Sequence, residues 1–438
     1  MKKEIYFIFK PTPGSSPVYE FVGGTKCLSQ MSGLNTVEQR LEFVHQHLEV
    51  QLSDKKIESK KNINTAKDKL KKAQNCKDPC EGLKLLHQAM VNVPQDDSET
   101  LKEVDSFYKN IMKKLNLSDR DQGSDEQQKQ SKISEKMKVV YKEGVGRHVI
   151  ATDDIAAGEL IVSECPGSSF LHHSHSLTNC HHCLKSVIRA VPCIKCSQVM
   201  FCSDTCRDSA RVYHDRECGH VDIVPGAGSL APVLRLVTSH TPEFFRERRE
   251  YFDKYDNTSE SLNTCDMFHR VFSLQAGNKT DSQYITSKTA HACYLILTLK
   301  KMNYFSVNDE DILDDDHLIV GRFIEHFLRV ADDNCHEICE VDTTRNISGK
   351  SFDELFDSSE EDGVVSVVGV GIYPTLSLFN NSCDVNTTKY HDGVREIMLA
   401  RRNIRAGEEI SDFYGEYYFQ NSKLTRKKNL GIAKTFDI

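Results

Sequence analysis

The sequence predicts an α+β protein in which a helical N-terminal region precedes short β-sheets, and in which a cysteine-rich segment and a helical insert interrupt those sheets. Three observations predict this fold class. Apolar residues recur at spacings of three and four before residue 117, cysteine and histidine pairs crowd residues 180–218, and short β-branched runs bounded by glycine occur on both sides of a later helical stretch. At 438 residues the chain is too long for one hydrophobic core, so we expect several domains.

The first predicted region, residues 1–117, is helical. Thr36 and Gln39 can form a capping box ahead of the first apolar face. Four such faces predict four helices: Val37, Leu41, Val44, Leu48 and Leu52; Ala66, Leu70 and Ala73; Gly82, Leu83, Leu86, Ala89 and Met90, stopped by Pro94; and Leu101, Val104, Tyr108, Ile111 and Leu115. The third helix is similar to the second half of a tetratricopeptide repeat, and an ordinary helical hairpin explains the pattern equally well.

Two polar segments are predicted to lie outside the packed elements. Residues 118–137 are polar and contain almost no apolar side chains, which predicts a flexible linker. Residues 351–363 are acidic, which favours a surface loop over a docking site for basic substrate tails.

Charge and hydropathy exclude several classes of protein. The chain has 56 Lys and Arg against 64 Asp and Glu, so a net charge of −8 disfavours binding to nucleic acid through bulk charge. No stretch approaches the roughly 18 apolar residues of a membrane helix, and the apolar patch near the start is too short for a secretory signal. We therefore expect a protein of the cytoplasm and nucleus, in which the 16 cysteines bind metal and do not form disulfides.

Eight candidate metal ligands form four pairs with two or three residues between the members of each pair. The pairs are Cys180 and Cys183, Cys193 and Cys196, Cys202 and Cys206, and His214 and Cys218. Such spacing lets both members bind one Zn²⁺, and eight ligands fill two closed tetrahedral sites. We therefore expect two structural zinc ions and no catalytic one. Five nearby histidines do not fit the spacing and are expected to be exposed: His172, His173, His175, His181 and His182.

Three further segments are uninformative singly. Gly144-Val145-Gly146 is typical of a turn, the asparagines of residues 380–386 are typical of a loop, and Tyr414 near the end of residues 406–415 could be an ordinary strand aromatic. Taken in order around the cysteine-rich segment, and with Asn334-Cys335-His336, they resemble the SET-and-MYND lysine methyltransferases. The resemblance covers residues 139–416, and the helices in front of it resemble the branch with N-terminal tetratricopeptide-like helices.

The resemblance implies a split SET domain. Its parts would be the SET N-terminal part (139–175), a MYND-type zinc finger (180–218), a helical insert (219–331), the SET core (332–416) and a truncated post-SET tail (417–438). It also implies that the zinc ligands interleave. One ion would be held by Cys180, Cys183, Cys202 and Cys206, and the other by Cys193, Cys196, His214 and Cys218.

The activity that the resemblance implies is methyl transfer from S-adenosylmethionine to a lysine of a histone or non-histone protein. The reacting amine must be neutral, and an apolar channel lowers its pKa from about 10.4 because burial penalises the charged form. Tyr414 would be the catalytic residue. The cofactor would be bound by Glu143, Gly144, Val145, Gly146, Asn334, Asn380, Asn381 and Tyr414. The finger would take a proline-containing peptide.

Three departures from the family pattern leave alternatives open. Asn381 and Val385 stand where the family usually has histidine and proline, and no cysteine follows Cys383, although family members close the lysine channel with a later three-cysteine cluster. One channel wall is therefore expected to be absent or supplied otherwise. The alternatives to an active enzyme are a catalytically weak adaptor or transcriptional co-regulator that binds proline-containing peptides, and a DNA-binding zinc protein. The last is disfavoured because residues 180–218 carry only six Lys and Arg against four Asp and Glu.

Overall fold

The computed structural model describes the greater part of the chain. The described residues are 7–10, 18–21, 31, 33–50, 61–94, 96–114, 131–223, 228–255, 258, 266–276, 281–309, 311–341 and 365–414. The acidic segment 351–363 and the tail 417–438 therefore lie outside the described residues. Within the described residues, no helix has the length and apolar character needed to cross a membrane.

The N-terminal region contains helices, as predicted, but it also contains three strands that the prediction missed. They are β1 (Phe7–Lys10), β2 (Val18–Phe21) and β3 (Leu48–Val50). In the sheet order β2-β1-β3, β1 runs antiparallel to β2 and parallel to β3. Aromatic and β-branched residues in β1 and β2 favour a strand, so the description of residues 1–117 as wholly helical is corrected.

Helix α1 (Val37–His47) begins with the predicted capping box. Thr36 Oγ1 accepts the backbone N–H of Gln39 at 3.2 Å, and Gln39 Oε1 accepts that of Thr36 at 3.2 Å. The helix ends at His47 and does not continue through Leu48, because Leu48 begins β3. Leu52 lies outside the described residues.

Three more helices complete the N-terminal region. They are α2 (Ile63–Asn75), α3 (Pro79–Asn92) and α4 (Ser98–Lys114). The predicted apolar faces are buried, including Leu70 on α2, Leu86 on α3 and Val104 on α4. Leu115 lies outside the described residues. These three helices therefore have the spacing and burial that the sequence predicts.

Short strands from two separated parts of the chain pair with each other. The strands are β4 (Lys132–Ile133), β5 (Met137–Lys142), β6 (Gly146–Ala151), β7 (Leu160–Glu164), β8 (Ser168–Leu171), β9 (Val191–Pro192), β10 (Met200–Phe201), β11 (Cys335–Val341), β12 (Val365–Ile372), β13 (Thr387–Asp392), β14 (Arg395–Ala400) and β15 (Glu409–Ile410). They form the sheets β13-β14-β7-β4, β15-β6-β5 and β11-β12-β8, and the β9–β10 pair. Every one of these pairings is antiparallel.

Each of the three larger sheets thus joins a strand before residue 172 to a strand after residue 334. Apolar side chains between these sheets form one core, with Val149, Ile161, Tyr373 and Ile410 buried in it. Strand β4 pairs with β7, so the predicted linker 118–137 is wrong at its end, where the chain enters the sheet. Ile410 of β15, four residues before Tyr414, belongs to this core.

The insert between the two halves is helical, as predicted. Its helices follow α5 (Asp204–Glu217) of the cysteine-rich segment and are α6 (Leu230–Thr238), α7 (Pro242–Glu247), α8 (Met267–Phe272), α9 (Ser282–Lys301) and α10 (Asp315–Asn334). Phe323, Phe327 and Val330 of α10 are buried.

Helix α1 packs against this insert and not against α2–α4. Leu41 and Val44 belong to the insert's core. A Cβ on Gly321 of α10 would lie 2.7 Å from Leu41 Cδ1, so the glycine permits the close approach of the two helices. Arg40 of α1 also forms an ion pair of 3.2 Å with the buried Glu325 of α10. Residues 1–117 therefore do not form one domain by themselves.

A histidine in the insert makes stability depend on pH. Aromatic rings surround His326, its Nε2 lies 2.8 Å from the carbonyl of Phe272, and burial lowers its pKa to about 4. The unfolded chain, with a pKa near 6.5, therefore takes up this proton first as pH falls. Stability should fall by about 1 kcal/mol between pH 7 and pH 5.5 through this residue. We expect His326→Gln, which cannot titrate, to have a correspondingly flatter profile in urea unfolding followed by circular dichroism. Equal slopes for the two proteins would contradict this assignment.

Candidate active site and metal centres

The predicted glycine turn joins β5 to β6. Gly144 and Gly146 have φ values of +80° and +82°, which residues with a side chain rarely adopt. A Cβ at Gly144 would meet no atom within 4 Å, and one at Gly146 would meet only Gln275 Oε1, at 3.9 Å. Glu143 and Val145 of the same turn are exposed. The turn therefore places bare backbone against open space, where a ligand can approach closely.

Asn334 is the last residue of α10 and is buried. Its Nδ2 donates to the carbonyl oxygens of Val330 at 2.7 Å and Gln275 at 3.0 Å. Both amide hydrogens are thus used within the chain, so toward a cofactor Asn334 can offer its Oδ1 acceptor only. Gln275 links Asn334 to Gly146. Sequence reasoning missed it because one glutamine between two helices follows no pattern.

Asn380, Asn381 and Tyr414 lie together, as predicted. The backbone N–H of Asp412 donates to the carbonyl of Asn380 at 2.8 Å, and Asn381 forms a parallel bridge with Asp412. Asn381 Oδ1 accepts the backbone N–H of Tyr414 at 3.0 Å. The phenol of Tyr414 donates to the carbonyl of Phe379 at 2.6 Å. These bonds hold the Tyr414 segment against the Asn380–Asn381 segment.

The same segment is connected to the glycine turn through a sheet. Strand β15, four residues before Tyr414, pairs with β6, where Ile410 lies opposite Val149. Strand β6 begins at Gly146. Strand pairing and these contacts thus connect four parts of the chain that carry predicted residues: the turn, the end of α10, the Asn380–Asn381 segment and the residues after β15.

The chemistry of the Tyr414 hydroxyl follows from its surroundings. Burial raises the pKa of Tyr414 above its usual range, and the neighbouring Asp412 and Glu409 carboxylates raise it further. The side chain is therefore a neutral phenol at physiological pH and does not act as a base. Its hydrogen is directed to Phe379, and the lone pairs of the phenol oxygen are acceptors.

The first predicted cysteine cluster is assembled in space. The sulfurs of Cys180, Cys183, Cys202 and Cys206 all lie within 4.8 Å of one another. Cys183 and Cys202 are 3.6 Å apart, and Cys202 and Cys206 are 3.5 Å apart. A tetrahedron with Zn–S bonds of about 2.3 Å has edges of roughly 3.8 Å, whereas a disulfide needs about 2.05 Å. The four thiols are therefore arranged as zinc ligands and not as disulfides.

The second cluster has three sulfurs and one imidazole nitrogen: Cys193, Cys196, His214 and Cys218. His214 Nε2 lies 3.3 Å from Cys193 Sγ and 3.6 Å from Cys196 Sγ, and Cys193 and Cys218 are 3.8 Å apart. The pairs thus interleave along the chain in the order that the resemblance implies. Each cluster supplies four protein ligands, which suits a closed structural site.

Comparison with known proteins identifies the family. A family model described as SET domain matches residues 146–415, which is more than half of the chain. The chain belongs to the SET domain family. This match and the relatives described next confirm membership of the SET-and-MYND group. They also confirm an α+β fold in which a cysteine cluster and a helical insert split the SET domain.

The relatives are distant and longer. The protein-lysine N-methyltransferase SMYD4 of Mus musculus is 23% identical over 361 residues, which cover 67% of this chain and 44% of SMYD4. The histone-lysine N-methyltransferase SMYD3 of Homo sapiens is 23% identical over 292 residues, which cover 67% of this chain and 58% of SMYD3. This chain thus spans less than half of the length of SMYD4. The solved SET domain of LSMT bound to lysine and AdoHcy aligns with 70% of this chain and 53% of that chain, at 11% identity and a TM-score of 0.25.

The cysteine-rich segment is anchored to the SET insert by a buried polar network. Arg235 of α6 donates to Glu217 of α5 at 2.7 Å, and both side chains are almost fully buried. Thr238 donates to the same carboxylate at 2.8 Å. Arg235 Nη2 also lies 2.8 Å from His181 Nε2. Removing one partner of such a buried ion pair lowers stability strongly, because the remaining charge is buried without compensation.

The prediction that five histidines near the clusters are exposed is wrong. His181 is only 3% exposed, and burial together with Arg235 lowers its pKa well below the usual range. It is therefore a neutral acceptor for Arg235. The other four, His172, His173, His175 and His182, are half-buried. The burial of His181 could not be predicted from the sequence, because its partner Arg235 lies 54 residues away in the chain.

The three helices α2–α4 share one hydrophobic core with the cysteine-rich segment. Leu70, Leu86 and Tyr108 of the helices and Val187 and Phe201 of the segment belong to the same cluster of buried side chains. The zinc ligands Cys180, Cys193, Cys196 and Cys206 also lie within it. The helices therefore pack on the metal-binding unit of the SET domain.

Polar contacts cross the same boundary. His87 of α3 is buried, with Nδ1 2.9 Å from the carbonyl of Leu177. Arg189 forms an ion pair of 2.6 Å with Asp105 of α4. Lys61, just before α2, donates to the carbonyl of Val91 of α3 at 3.1 Å, and the second cysteine cluster across the boundary opposes the lowering of the Lys61 pKa by burial. Helices α2–α4 and the cysteine-rich segment therefore form one packed unit.

Proposed function

We propose that the chain is an S-adenosylmethionine-dependent protein-lysine N-methyltransferase. The observation that carries the proposal is that, within a SET domain, the strand after the glycine turn pairs with the strand before Tyr414, and the Asn380–Asn381 segment holds the Tyr414 segment by hydrogen bonds. The names of the SMYD4 and SMYD3 relatives support the same reaction class.

The residues present fit the proposed cofactor. Bare backbone at Gly144 faces open space that a side chain would fill. Asn334, at the end of α10, offers its Oδ1 as an acceptor, and its Nδ2 donates to the carbonyl of Gln275, whose side chain lies beside Gly146. When bound, S-adenosylmethionine supplies a methyl group activated by a sulfonium. Glu143, Val145, Asn380 and Asn381 complete the set of binding residues that we propose. Tyr414 is the catalytic residue in this proposal.

The proposed work of Tyr414 is alignment. Its oxygen is fixed by the bond that it donates to Phe379, and a phenol oxygen is also an acceptor that can align the reacting groups. Because the phenol stays protonated, the substrate amine has to lose its proton by another route, such as desolvation in a narrow channel. Holding two reacting groups in line accounts for much of the rate acceleration of such enzymes.

The proposed substrate is a lysine on a histone or non-histone protein. We assign the two cysteine clusters to a MYND-type finger with two structural zinc ions, and we propose that this finger takes a proline-containing peptide. Cytoplasm and nucleus are the proposed compartments, which agrees with thiols arranged for zinc in both clusters.

Two glycine variants test cofactor binding with a matched control. Gly144 and Gly158 have φ values of +80° and +82°, and a Cβ on either would meet nothing within 4 Å. Alanine at each position should therefore cost similar stability, roughly 1–2 kcal/mol. Only Gly144→Ala adds a methyl group in the proposed cofactor site, since Gly158 lies in the turn between β6 and β7.

We expect S-adenosylmethionine at 100 times its Kd to stabilise the wild type and Gly158→Ala by about 2.7 kcal/mol, and Gly144→Ala by much less. The measurement is the thermal unfolding midpoint with and without the cofactor, followed by methyl incorporation into proteins of a lysate. No stabilisation of the wild type would reject the enzyme and favour the adaptor. Equal stabilisation of both variants would remove Gly144 from the site.

A further inference from the structure

A cluster of titratable side chains, most of them buried, contacts the Tyr414 segment. Asp412, two residues before Tyr414, is 2% exposed, and its Oδ2 lies 2.7 Å from Lys389 Nζ of β13. Lys389 Nζ is also 3.5 Å from Glu396 of β14, which is completely buried. His391 and His336 lie 3.5 Å and 3.9 Å from the same carboxylate. None of these five residues is a residue of the proposed site.

The Asp412 carboxylate has one partner in the backbone of its own segment and one on strand β13. Its Oδ1 accepts the backbone N–H of Phe413 at 2.7 Å, and its Oδ2 accepts from Lys389. The side chain thus connects the sheet at β13 to the Asp412–Phe413 peptide bond, one residue before Tyr414. A rotation of the Asp412 carboxylate would move the backbone from which the phenol projects.

The rest of the cluster contacts the other segments that form the site. His336 Nε2 lies 3.3 Å from Ser377 Oγ, in the one-turn helix that precedes Asn380. His336 itself is two residues beyond Asn334. Through Lys389 and Glu396 the cluster therefore reaches the end of α10, the Asn380–Asn381 segment and Tyr414.

Mutual contact offsets the effect of burial on Glu396 and Lys389, whereas burial still raises the pKa of Asp412. Although burial raises the pKa of Glu396, His391, His336 and Lys389 together lower it to about 2. Burial lowers the pKa of Lys389, but the Asp412 and Glu396 carboxylates raise it above its usual value. Apolar residues of similar volume often match or exceed the stability of a buried ion pair, so stability alone is a weak reason for this cluster.

We propose that Lys389 and Asp412 are positioning residues, which set the backbone of Tyr414 so that its phenol oxygen faces the reacting atoms. The consequence for catalysis rests on the proposed function. The consequence for the Tyr414 backbone does not, because it follows from the contacts of Asp412 alone.

The test replaces Lys389 with methionine and uses a matched ion pair as control. The control is the ion pair between Lys185 and Asp392 of β13, which has the same N···O distance of 2.7 Å. Both side chains of this control pair are partly exposed to solvent. We expect Lys389→Met to speed hydrogen exchange of the Tyr414 amide, which donates to Asn381, by tenfold or more. We expect kcat to fall about tenfold while the Kd for S-adenosylmethionine changes less than twofold. Lys185→Met should change none of the three, and Lys389→Arg should restore most of the loss.

Asp412→Asn keeps an acceptor for the Phe413 N–H and removes the charge, so it carries the test if Lys389→Met does not fold. Unchanged exchange at Tyr414 and unchanged kcat in a folded variant would overturn the positioning role. Equal losses in kcat and cofactor affinity would also overturn it, because they indicate general disruption. If the wild type binds cofactor without transferring methyl, and Lys389→Met still speeds exchange of the Tyr414 amide, the proposed activity is removed and the positioning of Tyr414 stands.

Discussion

Chelation of zinc should unfold helices α2–α4 together with the cysteine-rich segment. Closed zinc sites in small metal-binding domains contribute on the order of 10 kcal/mol to folding, which exceeds what the few apolar residues of this segment supply. The buried faces of α2–α4 have Cys193, Cys196 and Cys206 as neighbours in one core. Loss of the ions therefore removes the surface on which these helices pack, whereas the SET sheets have a separate core.

The measurement combines zinc release with hydrogen exchange. We expect about two ions per chain to be released to a strong chelator, with loss of helical circular dichroism and faster exchange in α3. Amides of β13 and β14 should stay protected. Cys206→Ser should show the same exchange change in α3 without chelator, whereas Cys383→Ser, which alters an exposed thiol outside both clusters, should keep two ions. If α3 stays protected after both ions have left, the shared core is stable without metal and this prediction fails.

The zinc ligands could be predicted because their signal is local. Two cysteines separated by two residues, such as Cys180 and Cys183, reach one ion whatever the rest of the chain does. The interleaving of the pairs is a non-local property, and it came from the family resemblance and not from spacing. The apolar faces of α2–α4 are likewise local patterns, and the structure buries them where the sequence places them.

What the sequence could not predict depends on partners far away in the chain. Helix α1 has the same pattern as its neighbours, but it packs on α10, where a Cβ on Gly321 would lie 2.7 Å from Leu41 Cδ1. The sequence around His181 is polar and predicts exposure, and its buried position is seen only once Arg235 lies 2.8 Å from its Nε2. Asp412 is one of several acidic residues in its segment, and the sequence does not show that it pairs with Lys389. Charge and periodicity describe a residue's own segment, and these three roles are set by another segment.

Tyr414→Phe should lower methyl transfer by about 100-fold with little change in cofactor affinity. The variant keeps the ring and removes only the oxygen that the proposed function uses to align the reacting groups, and misplacement of such groups by about 1 Å is enough for a loss of that size. It also leaves the carbonyl of Phe379 without the phenol donor, at a cost of roughly 1–3 kcal/mol to stability. Loss of activity must therefore be separated from loss of stability.

Tyr304→Phe provides that separation. The hydroxyl of Tyr304 also donates to a backbone carbonyl, that of His240 at 3.1 Å, but it lies in the helical insert and outside the proposed site. Both variants should have lower thermal midpoints, and only Tyr414→Phe should lose methyl transfer when each is assayed well below its midpoint. Equal activity in the two variants would mean that the phenol oxygen is structural, as it is at Tyr304. The role of alignment would then pass to the backbone around Asn380 and Asn381, which holds the same segment without any contribution from the hydroxyl.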